Sequence, residues 1–435
     1  MLGIEENKQL TQVGPGTPMG ELMRQYWHPV AAAAELDGSA FRTKEVRLLG
    51  EDLVLFRTRS GQLGLIERWC AHRRINLSYG VVEEDGLRCQ YHGWKFNTSG
   101  ECIEQPFEDT VHPDGTFKTK CSIKAYRAEE VSGLIFAYMG SDPDCFVPRW
   151  DALVRENAVR DIAMTELPAN WMQCQENSLD PVHAEWLHGY FSKYLYENVE
   201  VQKPVMGNQP LNQLHLKIGF DVFEHGIIKR RVTRTAGEEN PAWKDGHPSL
   251  FPNILCVGSP WNYTFQWRVP MDDEHTFHVS MYTWVAKPGS EAPKQETVPY
   301  RMTPLWDEEG RWYVNHTFNQ DFMAWVNQGP THIAQRNMEK LGESDKGVIL
   351  FRKLLKDQIK VLQSGGTPMN VFKSAEAADR IVFPQEGMSE PIEHFKPRGR
   401  NTKYVPQEAG FSADSEKIQA VIDTWVEAEK EPVSV

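Results

Sequence analysis

Two short couplets, Cys70-Ala71-His72 and Cys89-Gln90-Tyr91-His92, constrain this chain more than any other feature it carries. Each sets a thiol and an imidazole two or three positions apart, with Trp69, Gly93 and Trp94 alongside. Thiolate and imidazole are the ligands that zinc and iron prefer, so a fold that joins the couplets creates a four-ligand metal site. Short β-rich runs surround them: Glu45–Leu49, Asp52–Arg57, Leu63–Glu67 and Leu134–Tyr138. Turn signals at Gly50, Ser60-Gly61, Asp85-Gly86 and Ser99-Gly100 separate these runs, which predicts a small all-β unit over 41–145. The couplets then fall at hairpin tips, where glycine permits close backbone approach. The other cysteines, Cys102, Cys121, Cys145, Cys174 and Cys256, lie outside the couplets. Seven scattered thiols make no disulfide framework and suit a reducing compartment.

A Cys₂His₂ set fits either a structural zinc or a two-iron cluster. Zinc fingers keep their cysteines together and their histidines together, whereas each loop here carries one of each. In a Rieske centre two Cys bind one iron of a [2Fe–2S] cluster and two His bind the other, and the neutral imidazoles raise the potential. The two couplets, with Cys89-Gln-Tyr-His-Gly-Trp94, resemble the Rieske domain of the aromatic-ring-hydroxylating oxygenases, and the likeness extends over nearly the whole chain. Gly14-Pro-Gly-Thr-Pro-Met-Gly20 is similar to the phthalate-dioxygenase-like branch, which works without a small β subunit. The resemblance implies that Cys70 and Cys89 hold one iron while His72 and His92 hold the other. One departure stands in the first couplet: Cys-Ala-His-Arg-Arg replaces the Pro and Gly that many relatives have between and after the ligands.

The residues beyond the all-β unit need a second task, and Asp180-Pro-Val-His183-Ala-Glu-Trp-Leu-His188 suggests one. Two His and one carboxylate on one face of Fe(II) leave open positions suited to O₂ activation. Residues five apart lie ~140° apart on a regular α-helix, so His183 and His188 need a π-bulge or a break between them to share an ion. The resemblance implies that both are ligands of a mononuclear iron and that Asp180 is the carboxylate bridging the two metal centres. It also implies a distant Asp as third ligand, best matched by Asp321 in Asn319-Gln-Asp-Phe-Met-Ala-Trp325. Bland readings stay open: the histidines as core of an amphipathic helix, Asp321 as a cap or surface carboxylate, and Asp180 as an N-cap before Pro181. Asn177 and Glu176 lie close enough in sequence to support the ligands, and Asp345 or Glu339 are the next carboxylates should Asp321 not serve.

Around these motifs, Pro18–Trp27 reads as amphipathic, Trp171–Tyr196 as mostly helix, 211–285 as strand-rich, Lys346–Gln363 as a long helix, and the last forty residues as a polar surface tail. Strands grouped with strands and helices with helices predict α+β rather than a doubly wound sheet. The expected layout is an N-terminal helical segment over 1–40 and a Rieske domain over 41–145. A catalytic domain follows over 146–435, with an antiparallel sheet flanked by helices in the helix-grip manner and with C-terminal helices and a tail.

The function implied by the resemblance is a terminal oxygenase that uses O₂ and NADH-derived electrons to hydroxylate a phthalate-like aromatic acid. Oxidative O-demethylation of a methoxylated acid by the same site is the alternative. A non-catalytic Rieske electron carrier is the reading from a different class. No Gly-rich dinucleotide fingerprint follows a strand, so electrons would come through a separate flavin/iron–sulfur reductase. A substrate carboxylate calls for a buried cation. Strand alternation sets Arg230 and Arg234 on one face of the 226–235 run and Lys229 and Arg231 on the other, and either face also reads as a charged surface. Family members form trimers, alone or stacked, with the cluster of one subunit facing the iron of the next, and the resemblance implies the same here. Lys plus Arg minus Asp plus Glu is 47 − 60 = −13, which argues against nucleic acid or an anionic membrane as partner. No run of eighteen apolar residues exists, and the acidic N-terminus is unlike a signal peptide, so the expected location is the cytoplasm.

Overall fold

The computed structural model describes residues 2–199, 214–391 and 403–426. The segment expected to be a helical N-terminus carries helices at Ile4–Thr11 and Pro18–Met23, the second capped by Thr17 with Pro18 at its first position. It then enters a strand, β1 (Trp27–Ala32). The hairpin signals that follow give β2 (Thr43–Leu48), β3 (Glu51–Arg57) and β4 (Leu63–Glu67). Short strands β5 (Val81–Val82), β6 (Leu87–Arg88), β7 (Lys95–Phe96) and β8 (Cys102–Glu104) form a four-stranded antiparallel sheet of their own. With β9 (Ala125–Val131) and β10 (Leu134–Tyr138) the longer strands make an antiparallel sheet of order β1-β10-β9-β4-β3-β2.

The second half builds an eight-stranded sheet from β11 (Ala158–Leu167), β12 (His215–Phe223), β13 (Gly226–Thr233), β14 (His247–Leu250), β15 (Ile254–Ser259), β16 (Asn262–Pro270), β17 (Thr276–Val285) and β18 (Tyr300–Met302). Its order is β12-β13-β14-β15-β16-β17-β11-β18, antiparallel except for the β11–β18 edge. The molecule is therefore α+β, with the parallel crossovers of a doubly wound sheet missing among the described residues.

Strand alternation gives this sheet two different faces. Tyr263, Phe265, Trp267, Val279 and Met281 lie on one, and Trp267 packs against Phe136 of β10 with ring centroids 5.8 Å apart. One continuous apolar core thus joins the N-terminal strands to the large sheet. The opposite face pairs Gln266 with Ser280 and Arg268 with His278. Helices Trp171–Glu176 and Thr317–Val326 cover it, the His278 ring lying 5.0 Å from Phe322 and the Arg268 guanidinium 5.4 Å above Trp325.

The stretch 171–196 is mostly helical, as expected, with a break: after Glu176 a tight turn spans Asn177–Leu179, and helix resumes at His183. One expectation changes. The region expected to be a polar tail holds a helix, Ser415–Val426, whose Ile418, Val421, Ile422 and Trp425 are buried. That i, i+3, i+4, i+7 spacing gives the helix a single apolar stripe, which packs beside Tyr282 and Trp284. No helix among the described residues is long and apolar enough to cross a membrane.

Candidate metal centres

The helix that starts at His183 does not stay regular. Trp186–Phe191 form a π-helical turn, and the extra residue in that turn rotates His188 back toward His183. The two rings sit 5.2 Å apart at 80°. From the facing helix Thr317–Val326, Asp321 places Oδ1 3.2 Å from His188 Nε2 and 3.7 Å from His183 Nε2. Among the described residues these three form the one group of at least three His, Cys, Asp or Glu side chains whose ligand atoms all lie within 4.8 Å of one another.

One of the two imidazoles, His188, is held through its other nitrogen. His188 Nδ1 lies 2.9 Å from Gln320 Oε1, while the Gln320 amide donates to Ser192 Oγ and to the Val314 carbonyl, both at 2.8 Å. With the amide committed as donor, Oε1 accepts, so the proton sits on Nδ1 and Nε2 keeps a free lone pair toward Asp321. His183 Nδ1 has Asp180 Oδ2 at 3.7 Å. Burial pulls His183 down to about 4, which keeps the imidazole in its neutral, ligating form at neutral pH. His188 is raised: burial opposes its charge, and the Asp321 carboxylate outweighs it. Asp321 is lowered against its own burial by the two imidazoles and Arg268.

Asp180 Oδ1 accepts from the backbone N–H groups of Val182, at 2.8 Å, and His183, at 3.3 Å, so it does cap the resumed helix while its other oxygen faces His183. Asn177 Nδ2 donates to Asp321 Oδ1 at 3.3 Å. Glu176 does not join them. It is buried in an ion pair with Arg336, 2.8 Å, and Arg352, 2.7 Å. Glu339 is likewise taken by Arg352, and Asp345 by the N–H of Gly342. Sequence reasoning missed Gln320; its neighbour Asp321 marked the segment, but nothing marked the amide itself.

The couplets occupy two adjacent loops, tied by a hydrogen bond of 3.2 Å from Gln90 Nε2 to the Asn76 carbonyl. Gly93 takes φ +76°, the left-handed conformation that lets its loop close from Cys89 to Trp94. Arg74 also sits at φ +59°, where the departure from the family's Gly places a strained side chain; its guanidinium pairs with Glu67 at 2.6 Å. Cys70 and Cys89 are buried, and the influence of each thiol on the other raises Cys70 and lowers Cys89 to about 6. Backbone N–H groups of His72 and Arg73 favour the Cys70 thiolate, and those of Tyr91 and His92 favour the Cys89 thiolate. The His72 and His92 rings are exposed, 4.4 Å apart, with His72 stacked on Trp94 at 4.6 Å.

Sulfurs paired inside and imidazoles paired outside match the two ends of a two-iron cluster. A single tetrahedral zinc, with bonds of about 2.0–2.3 Å, needs all four donors gathered around one point. The four couplet side chains do not form such a group, so the residues fit a [2Fe–2S] cluster and not a zinc.

The model of the Rieske [2Fe-2S] domain matches residues 26–126. Over 384 residues the chain is 41% identical to the 5,5'-dehydrodivanillate O-demethylase oxygenase subunit of a Sphingobium species, covering 88% of this chain and 87% of the relative. It is 30% identical to the phthalate 4,5-dioxygenase oxygenase subunit of Pseudomonas putida, with 90% and 94% covered. Among solved structures, the terminal oxygenase of carbazole 1,9a-dioxygenase from a Novosphingobium species superposes with a TM-score of 0.54 at 19% identity, over 85% of this chain and 99% of that one.

Proposed function

Because the chain belongs to the terminal oxygenase subunits of the Rieske non-heme iron oxygenases, we propose that it oxidises an aromatic carboxylic acid with O₂ and NADH-derived electrons delivered by a separate reductase. The observation that carries this reading is the buried His183–His188–Asp321 group, brought together by a π-turn in the same chain as the two Cys/His loops. In the proposal Cys70, Cys89, His72 and His92 hold the [2Fe–2S] cluster, and His183, His188 and Asp321 hold the mononuclear iron. When bound, these groups supply one-electron transfer and O₂ activation.

The protein's own side chains then do the rest. Gln320 fixes the His188 imidazole by its non-ligating nitrogen, and Asp180 places a carboxylate oxygen 3.7 Å from that of His183. Asn177 holds Asp321 Oδ1 and thereby the direction of the carboxylate's second oxygen. The apolar lining from Phe318, Phe322 and Trp325 keeps bulk water from the sheet face beside the site.

The stronger likeness to an O-demethylase subunit, 41% against 30% for the phthalate relative, favours removal of a methyl group from a methoxylated aromatic acid over ring dihydroxylation. In the same proposal the active form is a trimer, in which Asp180 of one subunit accepts a hydrogen bond from the partner's His92. Asp180 is part-exposed and His92 exposed, and among the described residues no hydrogen bond or ion pair joins them within the chain, which leaves both available across an interface. The test is iron quantification with product analysis over methoxylated and plain aromatic acids: about three irons per chain supports two centres and about two supports a Rieske carrier. Asp321→Ala is expected to abolish turnover and keep the Rieske EPR signal; normal turnover there would assign the ligand elsewhere.

A further inference from the structure

The helix that carries Asp321 also sets a ring against the large sheet. Phe318 precedes Asp321 by three positions and so lies beside it on one side of the helix Thr317–Val326. Its ring stacks on Tyr282 of β17, with centroids 6.3 Å apart and planes at 27°. Tyr282 stacks in turn on Trp284, at 5.9 Å and 22°, and Trp284 meets Tyr404 edge-on at 5.6 Å. Phe318, Tyr282 and Trp284 are buried, whereas Tyr404 is half-buried. Tyr282, Trp284 and Tyr404 line one cleft together with Arg301 and Lys403, and the exposed Lys403 marks where it meets solvent. A line of rings thus runs from the neighbour of Asp321 to the surface.

The order of residues in this line is chemically directional. Phenylalanine resists oxidation, whereas tyrosine and tryptophan are the aromatic side chains that give up one electron most readily. Behind the single Phe318 ring stand three oxidisable rings in succession. A tyrosine releases its electron more easily when a neighbouring base can take the phenolic proton. Tyr282 has such a base: its O–H donates to Glu408 Oε1 at 2.8 Å, and Thr303 Oγ1 donates to Oε2 at 2.7 Å. Glu408 is itself fully buried, so both of its oxygens are committed as acceptors away from bulk water. Burial first, and the Glu408 charge second, hold the Tyr282 phenol well above its usual value. The proton therefore rests on the phenol until an electron leaves.

We propose that Tyr282, Trp284 and Tyr404 form a one-electron path that drains oxidising equivalents from the metal site to the cleft whenever O₂ is activated and no substrate takes the oxygen. The inference rests on the oxygenase reading above and adds a protective function to it. Tyr282 gives an electron toward the site across Phe318, and its phenolic proton crosses to Glu408 Oε1. Trp284 refills Tyr282, whose oxygen takes the proton back from Glu408. Tyr404 then refills Trp284 and releases its own proton to water in the cleft. A small thiol entering the cleft restores Tyr404 with one electron and one proton. The reductase has already supplied two of the four electrons that O₂ needs, and two such passages supply the others. O₂ leaves as two waters and the two thiols leave as one disulfide. Without the path the same equivalents oxidise the ligands and rings nearest the metal, a side reaction that an oxygen-using site has to exclude.

The experiment gives O₂ to the metal-loaded, reduced protein with a panel of plain and methoxylated aromatic acids, and measures the O₂ consumed without product. Freeze-quench EPR reads radicals, and mass spectrometry reads oxygen added to peptides, each per uncoupled O₂. Wild type is expected to show a tyrosine or tryptophan radical that N-acetylcysteine quenches, with the thiol recovered as its disulfide. Trp284→Phe and Tyr404→Phe keep a ring in place and break the path. In both, oxidation of the peptides carrying His183, His188 and Phe318 rises several-fold, while the thermal midpoint and the Rieske EPR signal stay level. Trp284→Tyr restores an oxidisable ring and returns the damage toward wild type, which packing alone would not do. Tyr282→Phe loses the radical; because it also leaves Glu408 short of a donor, Tyr404→Phe at the cleft decides if that variant is unstable. Wild-type damage in Trp284→Phe and Tyr404→Phe, no protein radical in wild type, or O₂ use matched by product in every mixture overturns the path and leaves the oxygenase reading standing. Failure of the loaded, reduced protein to consume O₂ with any acid overturns both.

Discussion

Gln320 is a 2%-exposed amide whose every polar atom is assigned: two donors to Ser192 and Val314, one acceptor to His188. Its function is to choose the His188 tautomer. Gln320→Leu keeps the volume and removes the choice, so iron affinity is expected to fall about 10–100-fold, with the Rieske EPR signal unchanged. Iron retained after dialysis against a chelator measures it. At this scale the sequence announced the ligands but not their supports. Cys70, His72, Cys89 and His92 stand in tight couplets, and Asp-x-x-His-x₄-His is a local pattern. Gln320 meets His188 only because two helices 132 positions apart close on each other, and such contacts leave no trace in local spacing. Glu176 erred in the other direction: nearness in sequence to Asn177 suggested a role at the iron, but its side chain points to Arg336 and Arg352.

Among the elements, the hairpins of the N-terminal half were legible because turn glycines delimit them, and Leu63–Glu67 and Leu134–Tyr138 form strands over the expected residues. The π-turn at Trp186–Phe191 was legible for a different reason: five-residue spacing and a shared ion are geometrically incompatible with a regular helix. The helix in the expected polar tail is hidden in the sequence because its acidic surroundings outweigh a stripe of four apolar residues. That stripe is structural. Trp425 is buried with its ring 5.5 Å from that of Trp261, and its Nε1 donates to the Val285 carbonyl at 2.9 Å. Trp425→Ala is expected to cost about 3–5 kcal/mol, read as a lower urea midpoint, with the cluster chromophore intact.

Across the whole molecule, one ion-pair hub fastens the N-terminus to the site. Glu176 ends the helix Trp171–Glu176 and pairs with Arg336 and with Arg352 of the helix Lys346–Gln363, while Arg336 Nη1 also reaches Asn7 Oδ1 at 3.0 Å. Burial opposes the Glu176 charge, but the two guanidiniums outweigh it and lower its pKa. A depressed carboxyl contributes stability above its unfolded value of about 4.3 and loses it as pH falls through the folded value. Glu176→Gln is therefore expected to lose about 3–5 kcal/mol at pH 7, with the gap to wild type shrinking on acidification below about pH 4.5 in urea titrations. The proposed passage of electrons between subunits belongs to this scale too. Asp180→Asn preserves size and the cap to Val182 and His183, and removes one charge. It is expected to keep both metals and the trimer and to slow cluster oxidation at least about tenfold in rapid mixing with substrate and O₂. Oxidation at the wild-type rate would send the electrons by another path.

The two unlike faces of the large sheet also bear on how such a protein diversifies. Its resistance to unfolding is vested in Tyr263, Phe265, Trp267 and their neighbours, which back onto the N-terminal strands. The alternate positions, among them Gln266, Arg268 and Ser280, meet the covering helices instead. Because side chains alternate strictly along a strand, every second position of β16 and β17 can change what meets the covering helices while the positions between keep their packing on the N-terminal strands.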